Sequence, residues 1–431
     1  MDLTIHRGST QIGGSCVELS AGGSRIILDV GMPLAKPGEQ SKLLKKLPPI
    51  PELIQSKLLP DIKGLYAHEE PGVDALVLSH AHLDHYGLAQ FVHPKIPIYM
   101  SRGTSKLLDV NQIFMPNAQP LASERKILAK DKPTKIGAFT VTGYLVDHSA
   151  PDALALLVEA DGKRVFYSGD LRAHGRKKSL FEKMVRHPPK DIDAMLLEGT
   201  TLGRGVGTEQ PDEETVEEQL VEVLNKRRNM TFLFCSAQNI DRLVSAFKAV
   251  RRTKTILVMD LYTAWVLKEL SVLSPSLPQY DWANVRVKYW KNYADKLAAA
   301  GHEKFLYEAV SRRIKPAELV EKRADVLMLM RANSLFGITT KLLPDLDGIQ
   351  LIWSMWEGYW KGSVVEKFSE KHGIPKKTIH TSGHASAADL QRLAKAVSPR
   401  RLIPIHTEHP DRYDGLFANV CHLEDGQTFV L

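Results

Sequence analysis

Cysteine is scarce in this chain. There are three among 431 residues, Cys16, Cys235 and Cys421, and none forms a C-x-x-C pair. That excludes a disulfide framework and a cysteine-based zinc finger, and makes a reducing cytoplasm the expected location. Long apolar runs are missing too: none approaches the ~18 to 20 residues needed to span a bilayer, so no membrane partner is expected. The opening "MDLTIHRGST" has an acid at its second position and no apolar segment, and does not read as a secretory signal. No internal repeat or low-complexity tract is visible. What is present, 43% hydrophobic and 25% charged residues, is enough for a sizeable core and for two domains. A net charge of +7 is compatible with a polyanionic partner without requiring one.

The first ~200 residues alternate short β-rich runs with turns. "CVELSAGGSRIILDVG" reads as two strands joined by a Gly-Gly turn. "ALVLS", "PIYMS", "FTVTGYLV", "ALALLVEA", "KRVFYSG" and "DAMLLEG" are further strand candidates, with helical segments such as "HYGLAQFV" and "TSKLLDV" between them. This predicts a layered α/β protein on antiparallel or mixed sheets. Near residue 205 the pattern changes. "TEQPDEETVEEQLVEVLNKR" reads as a helix start, with acids in its first turn and Val216, Leu220, Val223 and Leu224 on one face. Strands then alternate with helices ("MTFLFCS", "KTILVMD", "DVLMLM", "GIQLIWS"), the pattern of a parallel α/β unit that also holds all six tryptophans. The expected division is therefore 1–205, 206–364 and 365–431, the outer two segments forming one core.

The chemistry gathers in "ALVLSHAHLDHYGLAQFV". The apolar run predicts a buried strand, and His80, His82, Asp84 and His85 fall where it ends. In an extended segment His80 and His82 point the same way, while Asp84 and His85 begin the next turn and face a second point. Imidazoles and a carboxylate suit zinc or a similar divalent ion. A lone histidine is usually a satisfied core or surface residue. Four ligand types at H-x-H-x-D-H spacing are not.

This spacing resembles the metallo-β-lactamase fold, and later motifs follow in that family's order. "IILDVG" supplies Asp29, "LVDHSAP" supplies His148 and "YSGDL" supplies Asp170. The resemblance implies an αββα sandwich with one ion held by His80, His82 and His148. A second would be held by Asp84, His85 and a late histidine, with Asp170 bridging and Asp29 supporting from behind. Two such ions, zinc or in its place manganese, activate a water for an in-line displacement. Three further motifs resemble the β-CASP nucleases, which insert an α/β domain late in the core: "MLLEGTTLGR" with Glu198, "TSGHASAADLQRL" with His384 and "RRLIPIHTE" with His406. A histidine at the last position is similar to the RNA-processing branch, the ribonuclease J-like and cleavage/polyadenylation-type ribonucleases. "SAQNIDRLVSAF" resembles an Asn-x-x-Arg helix of the ribonuclease J group, here Asn239 and Arg242. The implied catalytic set is Asp84, Glu198 and His384, with His406 completing the second metal site.

Candidate substrate contacts lie beside these motifs. Arg172, Arg176, Lys177 and Lys178 follow Asp170 at once, and either neutralise a phosphate backbone or form a solvated loop. Ser382 and Ser386 flank His384 with hydroxyls able to hold a phosphate. Trp353, Trp356, Tyr359 and Trp360 are either base-stacking surfaces or interface core. The resemblance implies a zinc-dependent ribonuclease acting on single-stranded RNA, exo- or endonucleolytic, with homodimerisation left open. The competing functions are a DNA nuclease or nucleotide phosphodiesterase with the same machinery, and a non-catalytic RNA-binding scaffold. The scaffold reading requires lost ligands, and here every ligand position is filled.

Overall fold

The computed structural model describes residues 1–34, 48–115, 119–204 and 210–431. The chain divides into two compact units, one of residues 1–209 with 383–431 and one of residues 210–382.

The first unit is built on two sheets. One joins β1 (Asp2–Arg7), β2 (Cys16–Ala21), β3 (Ser24–Leu28), β4 (Ala75–Val77), β5 (Ile98–Met100), β6 (Arg125–Ile127) and the last strand, β19 (Thr428–Val430), in the order β19-β1-β2-β3-β4-β5-β6. The β2–β3 hairpin pairs Ala21 with Ser24 across Gly22 and Gly23, both at positive φ (54° and 78°). A two-residue turn of this kind demands that conformation twice, and glycine adopts it without a Cβ clash. The other sheet joins β7 (Pro133–Ile136), β8 (Phe139–Leu145), β9 (Leu154–Ala160), β10 (Lys163–Tyr167), β11 (Ala194–Glu198) and β18 (Arg401–Ile405), in the order β18-β11-β10-β9-β8-β7. Both sheets are mixed, as the hairpin-rich sequence predicts.

The main core lies between the sheets. Leu3, Ile5, Val17, Ile26, Leu28 and Val77 from the first pack with Val141, Leu156, Val158, Val165, Leu196 and Ile403 from the second. The opposite face of the second sheet is covered by helices Lys178–Arg186 and Ala387–Val397, through Phe181, Met184, Leu390, Leu393 and Val397. Helix Arg102–Phe114 buries Leu107, Leu108 and Val110. "HYGLAQFV" departs from the expected single helix: it forms a short helix, Leu83–Tyr86, and a 3₁₀ turn, Ala89–Phe91. A Cβ at the junction residue Gly87 would collide with Leu83 O and the Met32 side chain, so only glycine fits between the two.

The second unit contains one all-parallel sheet of β12 (Thr231–Phe234), β13 (Ile256–Asp260), β14 (Val285–Lys288), β15 (Val326–Met330), β16 (Gln350–Trp353) and β17 (Lys376–Thr378). Their order is β14-β13-β15-β12-β16-β17. The expected restart of the core at 365 is corrected here. Helix Val364–His372 and β17 belong to the second unit because β17 pairs in parallel with β16, and the first unit resumes at Gly383. The expected boundary at 205/206 lies outside the described residues. Asn239 caps helix Ile240–Thr253 by accepting from Arg242 N, while the Arg242 guanidinium is fully buried 3.1 Å from Glu213. Either charge left alone there would cost about 3–5 kcal/mol, so this pair is structural. No helix among the described residues is long and apolar enough to cross a membrane.

Candidate metal centre

Six strands of the first unit end at the same place, and the polar residues sit at those ends. Asp29 follows β3, His80 lies just past β4, His148 past β8 and Asp170 past β10, while Glu198 ends β11 and His406 follows β18. Asp29 and His406 adopt left-handed backbone, with φ of 57° and 53°. Non-glycine residues rarely do so, and such strain concentrates at functional sites. Gly31 is required for a different reason: a Cβ there would stand 1.7 Å from Asp84 O, so the turn carrying Asp84 and His85 rests directly on its backbone.

These ends bring seven donors into two groups, His80, His82, His148 and Asp170, and Asp84, His85, Asp170 and His406, with ligand atoms in each group within 4.8 Å of one another. Asp170 belongs to both. Its Oδ2 lies 3.7 Å from His80 Nε2 and 3.2 Å from His85 Nε2, and its Oδ1 lies 3.8 Å from His406 Nε2. His406 Nε2 is 3.7 Å from Asp84 Oδ2, and His148 Nε2 is 3.1 Å from His82 Nδ1.

The residues behind them set which nitrogen faces inward. His85 Nδ1 donates to Asp29 Oδ2 (2.8 Å), and His148 Nδ1 donates to Gly383 O (2.7 Å). Asp29 also accepts from Ser79 N (2.7 Å), Ser79 Oγ (2.7 Å) and Tyr167 OH (2.8 Å). Ser79 Oγ lies 3.0 Å from His80 Nδ1, and Ser15 Oγ 2.8 Å from His406 Nδ1. In the neutral rings of His80, His85 and His148 the inward nitrogen is thereby left as an acceptor. Partners of this kind fix a ligand's tautomer and are typically worth 10- to 100-fold in metal affinity. Asp29→Asn is expected to weaken divalent-metal binding by about that factor, read by competition with a chromogenic chelator. Unchanged affinity would separate Asp29 from the centre.

A divalent cation fits this cluster. Buried polar atoms are normally paired, and each left unsatisfied costs about 1–3 kcal/mol. Five that lack a hydrogen-bond partner converge here: His80 Nε2, His85 Nε2, His406 Nε2 and both Asp170 oxygens. Burial holds the His80, His82, His148 and His406 imidazoles below the ordinary histidine value, which keeps them neutral as metal ligands must be. Burial opposes charge on Asp170 as well, but His406, His85 and His384 together hold its carboxyl well below the usual range. Burial also opposes a proton on His85, yet Asp170 and Asp29 raise it well above the ordinary value. A divalent ion would offer those carboxylates more charge than that proton does.

Glu198 and His384 stand beside the two groups. Glu198 is buried and its oxygens accept from Leu171 N (3.1 Å) and Thr200 N (3.2 Å). The His384 ring, 20% exposed, has Nδ1 3.1 Å from Glu198 Oε1 and 3.9 Å from Asp170 Oδ2. Its burial works against charge, but Glu198 and Asp170 prevail and raise it to about 9. The loop carrying it is tied to the Asp170 loop by Ala385 N donating to Leu171 O (2.7 Å).

The scan against family models agrees with this geometry. Residues 48–232 match the model described as beta-lactamase superfamily domain. Residues 376–414 match the one described as Zn-dependent metallo-hydrolase RNA specificity domain. The chain thus carries a stretch similar to the beta-lactamase superfamily domain and, further along, one similar to the metallo-hydrolase RNA specificity domain. Among curated relatives, Ribonuclease J of Mycobacterium tuberculosis is 26% identical over 375 residues, covering 79% of this chain and 62% of that one. The RNase J-like protein of Methanocaldococcus jannaschii is 25% identical over 465 residues, covering 96% and 93%. The chain thus spans about three fifths of the length of the bacterial relative and nearly all of the archaeal one. A solved protein of unknown function from Enterococcus faecalis has the same fold, with a TM-score of 0.76 over 100% of this chain and 99% of that one, at 22% identity. The resemblance read from "SHAHLDH", "SGHAS" and "PIHTE" agrees with these matches.

Two of the substrate contacts expected from the sequence are otherwise engaged. Arg172 is corrected from an RNA contact: it is fully buried, its Nε 3.4 Å from Asp147 Oδ1, and it cannot reach a bound strand. Ser386 caps helix Ala387–Val397, accepting from Asp389 N (3.1 Å) and donating to Asp389 Oδ2 (2.8 Å). Its hydroxyl is occupied by that cap instead of by a phosphate. Lys177 donates to His148 O (3.3 Å), and Arg176 is half-buried. Ser382 is buried, with 3% of its surface exposed. The sequence reading missed Ser15, Ser79, Asp147 and Tyr167. Ser79 and Asp147 each directly precede a candidate ligand, a position where a supporting group is worth seeking.

Proposed function

We propose that this chain is a zinc-dependent ribonuclease that hydrolyses phosphodiester bonds of single-stranded RNA, with two ions per chain. The observation that carries the reading is the pair of donor groups sharing Asp170 with the Glu198–His384 pair beside them. Five imidazoles with two carboxylates favour zinc, and manganese suits the same set less closely. His80, His82 and His148 would hold one ion, and Asp84, His85 and His406 the other, Asp170 serving both. Ions held there would supply Lewis acidity at a phosphoryl oxygen and an activated water.

The chain's own residues would orient the substrate and handle the protons. Glu198 holds His384 by Nδ1, which leaves Nε2–H to protonate the departing oxygen. Asp84, 17% exposed against 1% for Asp170 and Glu198, is the carboxylate nearest solvent and would accept the proton of an entering water. RNA as the substrate is supported by the family model over residues 376–414, which contains His384 and His406, and by the names of the relatives. A cytoplasmic site of action agrees with the three free cysteines.

The test is digestion of 5′-phosphorylated, 5′-triphosphorylated and circular RNAs, with matched DNA strands, by protein loaded with zinc or manganese and by protein treated with a chelator. Metal-dependent cleavage of linear RNA is expected, and cleavage of the circle would add an endonucleolytic mode. Preference for DNA would move the chain to the DNA-nuclease alternative, and loaded protein that cuts no RNA overturns the proposal.

A further inference from the structure

The tryptophan-rich segment "LIWSMWEGYWKG" has no part in the metal centre, and it is built in two layers. Trp353, at the end of β16, is fully buried among Phe232, Phe234 and Met330. Trp360 packs edge-on against it, with ring centroids 5.1 Å apart at 82°, and Lys376 Nζ covers Trp360 at 4.6 Å. These two anchor the loop that follows β16. Between them the loop turns outward and exposes Trp356 (51%) and Tyr359 (52%), which meet edge to face at 5.3 Å and 89°.

The backbone at Trp356 is pinned and its indole is packed against the loop. Trp356 O accepts from Tyr359 N (3.1 Å) and from Trp353 Nε1 (3.3 Å). The ring lies over Gly358 so closely that a Cβ there would stand 2.2 Å from it. Glu357, the one acid in the loop, is neutralised by Lys376. The half of the ring left in water adds no stability to the fold, because that apolar area stays exposed. A ring held rigid before binding, however, loses little entropy when something stacks on it.

Three features favour the occupant being a base of a single strand. The loop lies at the carboxyl edge of an all-parallel sheet, where ligands of such sheets collect. Exposed Lys361 and Lys377 flank it, offering positive charge to a phosphate backbone. The second unit as a whole has 26 Lys and Arg against 21 Asp and Glu, so it carries +5 of the chain's +7. We infer that Trp356, backed by Tyr359, is a base-stacking platform that grips single-stranded RNA by its bases while the flanking lysines hold the backbone. This rests on the reading of the chain as a ribonuclease, and specifies how it would hold its substrate.

The experiment measures binding by full-length protein in EDTA, by anisotropy of labelled oligo(A) and oligo(U), with labelled heparin as a polyanion without bases. Trp356→Ala is expected to weaken oligo(A) binding roughly 5- to 100-fold and to leave heparin binding unchanged. Trp356→Tyr should restore most of the loss. Tyr307→Ala, which removes a still more exposed ring (82%) of the same unit, should change neither. Oligo(A) affinity unaffected by Trp356→Ala, or an equal loss on heparin, overturns the platform. So does a change in sedimentation of Trp356→Ala with RNA affinity intact, which would assign the rings to a protein interface. Metal is absent from this measurement, so failure of the wild type to cleave RNA would defeat the ribonuclease reading without altering the binding comparison.

Discussion

Asp170→Asn is expected to fold normally and to bind divalent metal much more weakly. The change keeps the shape of the side chain but replaces one carboxylate oxygen by an amide that cannot ligate. Both Asp170 oxygens are buried without a hydrogen-bond partner, and one or the other lies within 3.2 to 3.8 Å of three histidine nitrogens drawn from both donor groups. Loss of the shared ligand should therefore lower divalent-metal binding in both groups, and if the wild type holds the two zinc ions proposed above, the variant should hold one at most. Lewis-acid stabilisation is worth several kcal/mol, so RNA cleavage should fall by roughly 10³-fold. Metal content by mass spectrometry reads the first effect independently of any activity. Thermal unfolding supplies a second check: zinc at a thousand times its dissociation constant stabilises by about 4 kcal/mol, a gain the wild type should show and the variant should largely lose. A variant that keeps two ions and full activity would remove Asp170 from the centre.

Much of this centre was legible because its ligands carry their own local signal. His80 and His82 alternate at the end of an apolar run, and Asp84 and His85 open the turn that follows. The structure keeps that order, with β4 ending at Val77 and the helix Leu83–Tyr86 beginning three residues after His80. Glu198, His384 and His406 were reached only through motifs, since nothing local tells a residue that its partner is 186 positions away. Arg172 shows the opposite failure. In "RAHGRKK" it looks like one cation of a solvated cluster, yet Asp147, 25 residues earlier, draws it into the core. That pairing is set by how β8 and β10 lie in the sheet, which the local sequence does not encode. The Ser386 cap was readable, because Ser-Ala-Ala-Asp before an apolar run is a capping signature. The domain boundary was not: "KKT" is too short and too polar to announce β17, and only its pairing with β16 assigns it.

His384→Ala provides a test that separates proton transfer from metal binding. His384 belongs to neither of the two donor groups; it clusters with Asp170 and Glu198, its nearest carboxylate being Glu198 at 3.1 Å, with Asp170 at 3.9 Å. Its removal should leave the zinc content unchanged. General acid catalysis contributes about 10²- to 10⁴-fold, and RNA cleavage should fall within that range. The dependence on leaving group then distinguishes mechanism from misfolding. An alkoxide departing from RNA needs a proton, whereas p-nitrophenolate is stable as an anion near neutral pH. Hydrolysis of bis(p-nitrophenyl) phosphate by His384→Ala should therefore fall far less than RNA cleavage. Glu198→Gln should show the same selectivity at smaller amplitude, because the amide oxygen keeps only one of the two bonds from Leu171 N and Thr200 N and orients His384 less firmly. Equal loss on both substrates would instead make His384 a residue that binds phosphate without donating a proton. Loss of zinc along with activity would make it a metal ligand.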